Sequence, residues 1–294
     1  MRFDPQSLLA GVASNGLFST LPRRTFLATL GASAVMPALS TRALAQAASV
    51  RPLINSVSTV NLDGIYMGHV QGVCSNGRDI LYWSMTNDLV MSDATGKVLK
   101  KVKVLNHHGD LTYVDGKIYV AVNLGIFNDS QKRADSWIYV YDANNLSFLS
   151  RHSAIEVVYG AGGMAYGDGK YLVVGGLPDG YQENLVYEYD RDLKFVRQIA
   201  LKSGWTQLGI QTAAYNANHW WFGCYGSPEI LLRVDNSFQA IERFVFSGSV
   251  GLVPVDDKTF LVGGSICSGV VGCEARLHAV KIDELIAQGL LKPV

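Results

Sequence analysis

Short runs of alternating apolar and polar residues recur along this chain, separated by turn-forming residues. The clearest spans residues 107–122, where alternation flanks Asp115-Gly116, a dipeptide that tolerates the positive φ of a tight hairpin turn. It predicts two short strands joined by that turn. Residues 71–82, 163–173, 211–222 and 251–261 align with it. A second marker, an aspartate closing an alternating strand, occurs at Asp93, Asp142, Asp190, Asp235 and Asp283, at intervals of 49, 48, 45 and 48 residues. An aspartate there can accept a hydrogen bond from its own backbone two residues on and start a turn. Five copies of each marker predict five structural units.

Each unit reads as four strands: the template pair, then an alternating strand such as residues 137–141, then a last one such as residues 148–152. Four antiparallel strands at this period predict an all-β fold, a five-bladed β-propeller of four-stranded antiparallel blades. The fifth unit lacks its last strand, because after residues 275–282 the chain turns helix-like over residues 284–291. Residues 56–62, ahead of the first template, can supply the missing strand, so the ring is expected to close through an N-terminal strand that protects both edges.

Residues 1–45 read as an address rather than part of the fold. Arg23-Arg24 precedes an uncharged run over residues 28–40 and a small-x-small cleavage site at Ala43-Leu44-Ala45, the order of a twin-arginine export signal. The run is too short for a membrane span of about 20 residues. The expected product is a single propeller domain, residues 46–294, in the periplasm or secreted, with no membrane attachment after cleavage. Losing the leader removes Arg2, Arg23, Arg24 and Arg42 against Asp4, leaving 21 of 25 basic and 24 of 25 acidic residues. A near-neutral chain without a basic stripe offers no footprint for nucleic acid.

The propeller topology gathers on one face the segments that lead into the innermost strands and the long loops between second and third strands. Function concentrates in long loops on a rigid scaffold. On that face lie His69, Gln71, His107, His108, Asp110 and Gln211, all near the axis; in register His69 corresponds to His107, and Gln71 and Gln211 both correspond to Gly109. Imidazoles there can bind a divalent metal or carry a proton, and Asp110 can act as a base, with His108 beside it. Equally, such side chains can simply line the axis, and in extended backbone His107 and His108 point opposite ways. Trp205, Tyr181 and Tyr225 fall in loops of the same face, and flat rings near acidic residues suit a carbohydrate or another small polar molecule. Trp220 and Trp221 lie in a second strand and read as packing residues.

Cys267 and Cys273 share one loop and are expected to form a disulfide in an exported protein, while Cys74 and Cys224 are expected to be free and buried. Gly160-Ala161-Gly162-Gly163 precedes a strand, whereas phosphate-cradling glycines need a following helix. Val70-Gln71-Gly72-Val73, followed by residues 93–99, resembles the first blade of the five-bladed propeller glutaminyl cyclases, which close an N-terminal glutamine into pyroglutamate. That resemblance, over about thirty residues, implies the propeller fold and a cyclotransferase activity. Where those enzymes carry a glutamate between glycines in the second blade, this chain has His108-Gly109-Asp110. Two readings stay open: a protein that binds a small polar ligand or partner at its axial mouth, and an enzyme, hydrolase, lyase or cyclotransferase, using the axial histidines and Asp110.

Overall fold

Strand pairing in the computed structural model, which describes residues 52–269 and 271–294, gives five separate four-stranded antiparallel sheets. The export signal expected over residues 1–45 lies outside the described residues. The first strand, β1 (Thr59–Asn61), belongs to the last blade. Blade 1 then holds β2 (Val70–Ser75), β3 (Ile80–Met85), β4 (Asp88–Asp93) and β5 (Val98–Lys103). Blade 2 holds β6 (His108–Val114), β7 (Lys117–Asn123), β8 (Ser136–Asp142) and β9 (Phe148–Ser153). Blade 3 holds β10 (Ala161–Gly167), β11 (Lys170–Gly175), β12 (Asn184–Tyr189) and β13 (Phe195–Leu201). In blade 4 are β14 (Gln207–Asn216), β15 (His219–Tyr225), β16 (Ile230–Asp235) and β17 (Ile241–Val245). Blade 5 takes β18 (Leu252–Pro254), β19 (Phe260–Ser268), β20 (Gly272–Val280) and, on the outside, β1.

The turn chemistry acts as the sequence predicts. Asp115 and Gly116 adopt φ of 47° and 77°, and Asp168 and Gly169 adopt 48° and 74°, the two consecutive positive values a two-residue hairpin turn requires. The closing aspartates Asp93, Asp142 and Asp190 accept from the amides of Thr95, Asn144 and Asp192, and Asp235 accepts from those of Gln239 and Ala240. Asp283 departs from this pattern. It lies with Glu284 in the first turn of a helix, α1 (Ile282–Ala287), where acidic side chains complement the helix dipole, and its carboxylate accepts from Arg233 at 2.7 Å. The helix therefore starts earlier than the pattern over residues 284–291 implies.

Ring closure is through β1, registered against β20 as Thr59↔His278, Val60↔Leu277 and Asn61↔Arg276. One expected loop is a ladder instead: β19 and β20 stay paired out to Ser268↔Gly272, and the disulfide joins the directly opposed Cys267 and Cys273. Cys74 and Cys224 are free and buried.

No single core serves the whole molecule. Apolar side chains fill five layers, one between each pair of neighbouring blades. Strand alternation distributes them: Trp220 packs into the layer between blades 3 and 4, and Trp221, its neighbour in β15, into the layer between blades 4 and 5. Each sheet is thus stable only between two others. Val60 and Leu277, both fully buried in the layer between blades 5 and 1, hold the closing strand in place. Leu277→Ala is expected to cost about 2–5 kcal/mol in urea unfolding. A Val60→Ala, Leu277→Ala double-mutant cycle should return a coupling of about 0.5–3 kcal/mol, whereas additive effects would show that β1 does not stabilise the ring through this pair.

Candidate functional site

At the axial mouth four of the five innermost strands share an irregularity. Pairing with the second strand shifts between Val70 and Gly72 in β2, between His108 and Leu111 in β6, between Ala161 and Gly163 in β10, and between Ile210 and Thr212 in β14. Each is a β-bulge near the start of the strand, a device that re-aims a side chain. Gln71, Gly109, Gly162 and Gln211, one residue from each of these bulges, line one cavity of about 230 Å³, while Asp110, the second residue within the β6 bulge, does not. Two glycines leave room, and two glutamines project into it.

The rest of the lining comes from the same face. His69 and His107 precede β2 and β6, Asn123 ends β7, Phe127 comes from the β7–β8 connection, and Tyr225 ends β15. Positive φ at Leu208 (58°) and Gly209 (75°) bends the start of β14, and Leu208 closes the wall. Of the residues the sequence singles out, His69, Gln71, His107, Gln211 and Tyr225 therefore meet in one cavity. Asn123, Phe127 and Leu208 join them without a sequence signal of their own, although the long loop carrying Phe127 was a signal for its neighbourhood.

His69 organises the hydrogen bonding. Its Nε2 lies 3.2 Å from Gln71 Nε2 and 3.0 Å from the Tyr225 hydroxyl. An amide nitrogen can only donate, so His69 Nε2 accepts, carries no proton, and takes the Tyr225 hydroxyl as a second donor. Burial, reinforced by nearby His107, lowers the pKa of His69, which favours this neutral form. Burial, with Glu229 adding to it, pushes the Tyr225 phenol up to about 12, so it remains a donor at neutral pH. Gln211 Nε2 donates to the Leu208 carbonyl at 2.6 Å, which fixes the amide and leaves its oxygen as an acceptor. Asn123 is spent on the backbone, donating to the Gly125 carbonyl and accepting from the Asp135 amide.

His108 and Asp110, expected to act together, are separated by the strand's alternation and the bulge. The imidazole of His108 is fully buried in the layer between blades 1 and 2, where Nδ1 donates to the Leu105 carbonyl and Nε2 accepts from the Tyr141 hydroxyl, each at 2.7 Å. It lines neither the mouth cavity nor the axis, so its position is that of a packing residue. Asp110 does reach the axis, but behind the cavity. Its Oδ2 accepts from the Ala213 amide in β14 at 2.9 Å, and the amides of Leu111 and Val73 also favour its charged form, while Oδ1 makes no well-aligned hydrogen bond. Burial outweighs those amides and raises its pKa well above the usual carboxylate range. A Cβ on Gly72 would overlap this carboxyl group, so the glycine is required there. Gly109 lines the mouth cavity, and Leu111 lines a cavity of about 310 Å³ at the other end of the axis, which leaves Asp110 as the partition between them.

The remaining expected residues lie elsewhere. Tyr181 packs against Tyr159, with ring centroids 5.3 Å apart, outside the mouth cavity. Trp205 borders a neighbouring cavity that it shares with Tyr225. Among the described residues no group of three or more His, Cys, Asp or Glu side chains is gathered closely enough to hold a metal, and the mouth brings together only the two imidazoles His69 and His107.

No protein-family model matches the chain, and no curated protein matches it in sequence. Among solved structures it is similar to the WD40 domain of Pan2 from Neurospora crassa, at 9% identity and a TM-score of 0.40, over 71% of this chain and 63% of that one. The chain thus spans less than two thirds of that domain's length. The assignment as a five-bladed β-propeller rests on the strand order itself.

The two buried groups on either side of Gly109 make opposite demands on pH. Burial holds His108 at about 4, below its ordinary 6.5, so the native state gains stability as pH rises from about 4 to 6.5. Asp110 is held above its ordinary 3.8, so its contribution is complete below that value and declines as pH rises towards its native pKa. Each slope approaches about 1.4 kcal/mol per pH unit, and in the window from about pH 4 upward the two oppose one another. Asp110→Asn should therefore uncover a rise in stability across that window and His108→Gln a fall, read as urea midpoints against pH. Parallel profiles in all three proteins would show that the two groups do not titrate this way.

Proposed function

We propose that this protein is an exported propeller that binds a small polar molecule in the axial-mouth cavity. The observation that carries the reading is the repeated bulge. Four blades deform near the start of the innermost strand, and one residue from each deformation, with His69, His107 and Tyr225, lines a single cavity. Ligand sites are commonly concave, largely apolar and furnished with a few convergent polar groups, in volumes of about 300–1,000 Å³. At about 230 Å³, this one suits a molecule of roughly amino-acid or monosaccharide size. Export rests on the order of the Arg23-Arg24 pair, apolar run and cleavage site.

Binding is favoured over catalysis because, among the described residues, no Asp, Glu, Lys or Arg lines the cavity, and His69 and His107 stand there without a carboxylate beside them. A glycosidase needs a pair of carboxyl groups flanking the scissile bond, and the cavity lining supplies none. Asp110, the carboxylate nearest in sequence, is sealed behind the bulge of β6. Gln71, within the segment that resembles the glutaminyl cyclases, serves this reading as a wall of the cavity.

A thermal-shift screen of sugars, amino acids and short peptides tests it. A ligand at 100 times its Kd adds about 2.7 kcal/mol, or roughly 5–10 °C in Tm for a domain of this size. Gly162→Ala places a methyl group 3.3 Å from the Phe127 ring inside the cavity and is expected to abolish that shift without removing a polar group. A ligand whose shift survives both Gly162→Ala and Gln211→Met binds somewhere else and overturns the assignment.

A further inference from the structure

Beyond Tyr225 a second cavity, of about 470 Å³, opens against blade 4. Tyr225 lines both cavities, and the chain running into β14 divides them: Thr206 and Gln207 line the second, Leu208 and Gln211 the first. Trp205 forms a wall of the second cavity and is 39% exposed. Its backbone is held, because its carbonyl accepts from Arg243 Nη1 at 3.2 Å, alongside the Ser203 carbonyl at 2.7 Å. A flat ring thus stands open to solvent on a fixed backbone, one side chain away from the axial mouth.

The hydrogen-bonding inventory of the first cavity mixes donors and acceptors without a carboxylate, lysine or arginine. Gln211 and Gln71 have each committed one Nε2 hydrogen to a neighbour, leaving a second N–H to donate and Oε1 to accept; His69 keeps an Nδ1–H, and the Tyr225 hydroxyl donates to His69, leaving its oxygen lone pairs. A ligand carboxylate would meet no lysine or arginine to balance its charge. A ligand ammonium would lose its hydration without a carboxylate to replace it, which is costly in a half-enclosed site. Hydroxyl groups donate without either penalty. The apolar faces of Phe127 and Leu208 complete a lining that suits a ring with polar edges and an apolar face.

We infer that the two cavities form one site for a neutral carbohydrate chain of at least two units, one seated in the axial mouth and the next laid on Trp205. The inference rests on the axial cavity being a binding site. In the second cavity Arg243 is the charged side chain at hand, and its Nη1 is already engaged by two carbonyls.

Calorimetric titration with maltose, cellobiose, lactose and chitobiose, their component monosaccharides, a glucuronate-ended disaccharide and triglycine separates the alternatives. A neutral disaccharide should bind about ten-fold more tightly than its monosaccharide, the size of one well-placed aromatic contact. Trp205→Ala should reduce the disaccharide to the monosaccharide's affinity, Trp205→Tyr should keep most of the gain, and Gln211→Met should weaken both about ten-fold. A disaccharide no tighter than its monosaccharide, or one indifferent to Trp205→Ala, overturns the two-cavity chain. Binding of triglycine or the glucuronide, blocked by Gly162→Ala, in place of the neutral sugars would leave the axial binding reading standing and overturn the carbohydrate. If no compound binds, both readings fall.

Discussion

Backbones nearly touch where the innermost strands meet, and that crowding governs the rest of the molecule. A side chain on Gly109 would overlap the Gly162 carbonyl, and one on Gly163 would come within 2.5 Å of the Gln211 carbonyl and 3.1 Å of Asp110 Cβ. The same approach lets one carboxyl group bridge strands that are not neighbours, since Asp110 belongs to blade 2 and accepts from Ala213 in blade 4. Further out, blades diverge, and the gap between them is filled by the large residues of the five apolar layers, Trp83, Trp220 and Trp221 among them. Small at the centre and large outside is the taper a radial array of sheets demands.

Much of this was legible in the sequence because it depends on local chemistry. Positive-φ dipeptides and turn-starting aspartates are short-range signals, and counting them gave the number of blades. Alternation also says that His107 and His108 face opposite ways. It could not say which faces the axis, because that depends on the bulge between His108 and Leu111, a property of pairing with β7 rather than of β6 alone. The bulge is likewise why Gln71, Gly109 and Gln211, aligned in register by the repeat, turned out to be neighbours around one cavity. Phe127 and Leu208 stayed hidden for another reason. Their positions come from an irregular connection and from a left-handed backbone at residue 208, neither of which has a period to read.

The expectation of a catalytic pair shows how strongly burial decides chemistry. His108 and Asp110 are two residues apart, yet one is locked between Leu105 and Tyr141 and the other is sealed at the axis. Burial favours the uncharged form of each, and their packed surroundings keep them from contact with a substrate in the mouth. The groups left in reach of solvent at the mouth are amides, a phenol and neutral imidazole, a set that recognises shape and hydroxyl pattern more than charge.

The closing strand adds a consequence in time. Thr59 and His278, which face each other in blade 5, are 219 residues apart in the chain. Every other blade is assembled from one continuous segment, so four sheets can form from local contacts while the fifth waits for the whole chain. Until blade 5 has been made, the first and fourth blades each present an apolar face with nothing against it, and until β20 is in place β1 has no partner. The ring is therefore finished by a single late encounter between the two ends, and a chain cut short anywhere before β20 is left with an open seam rather than a smaller propeller.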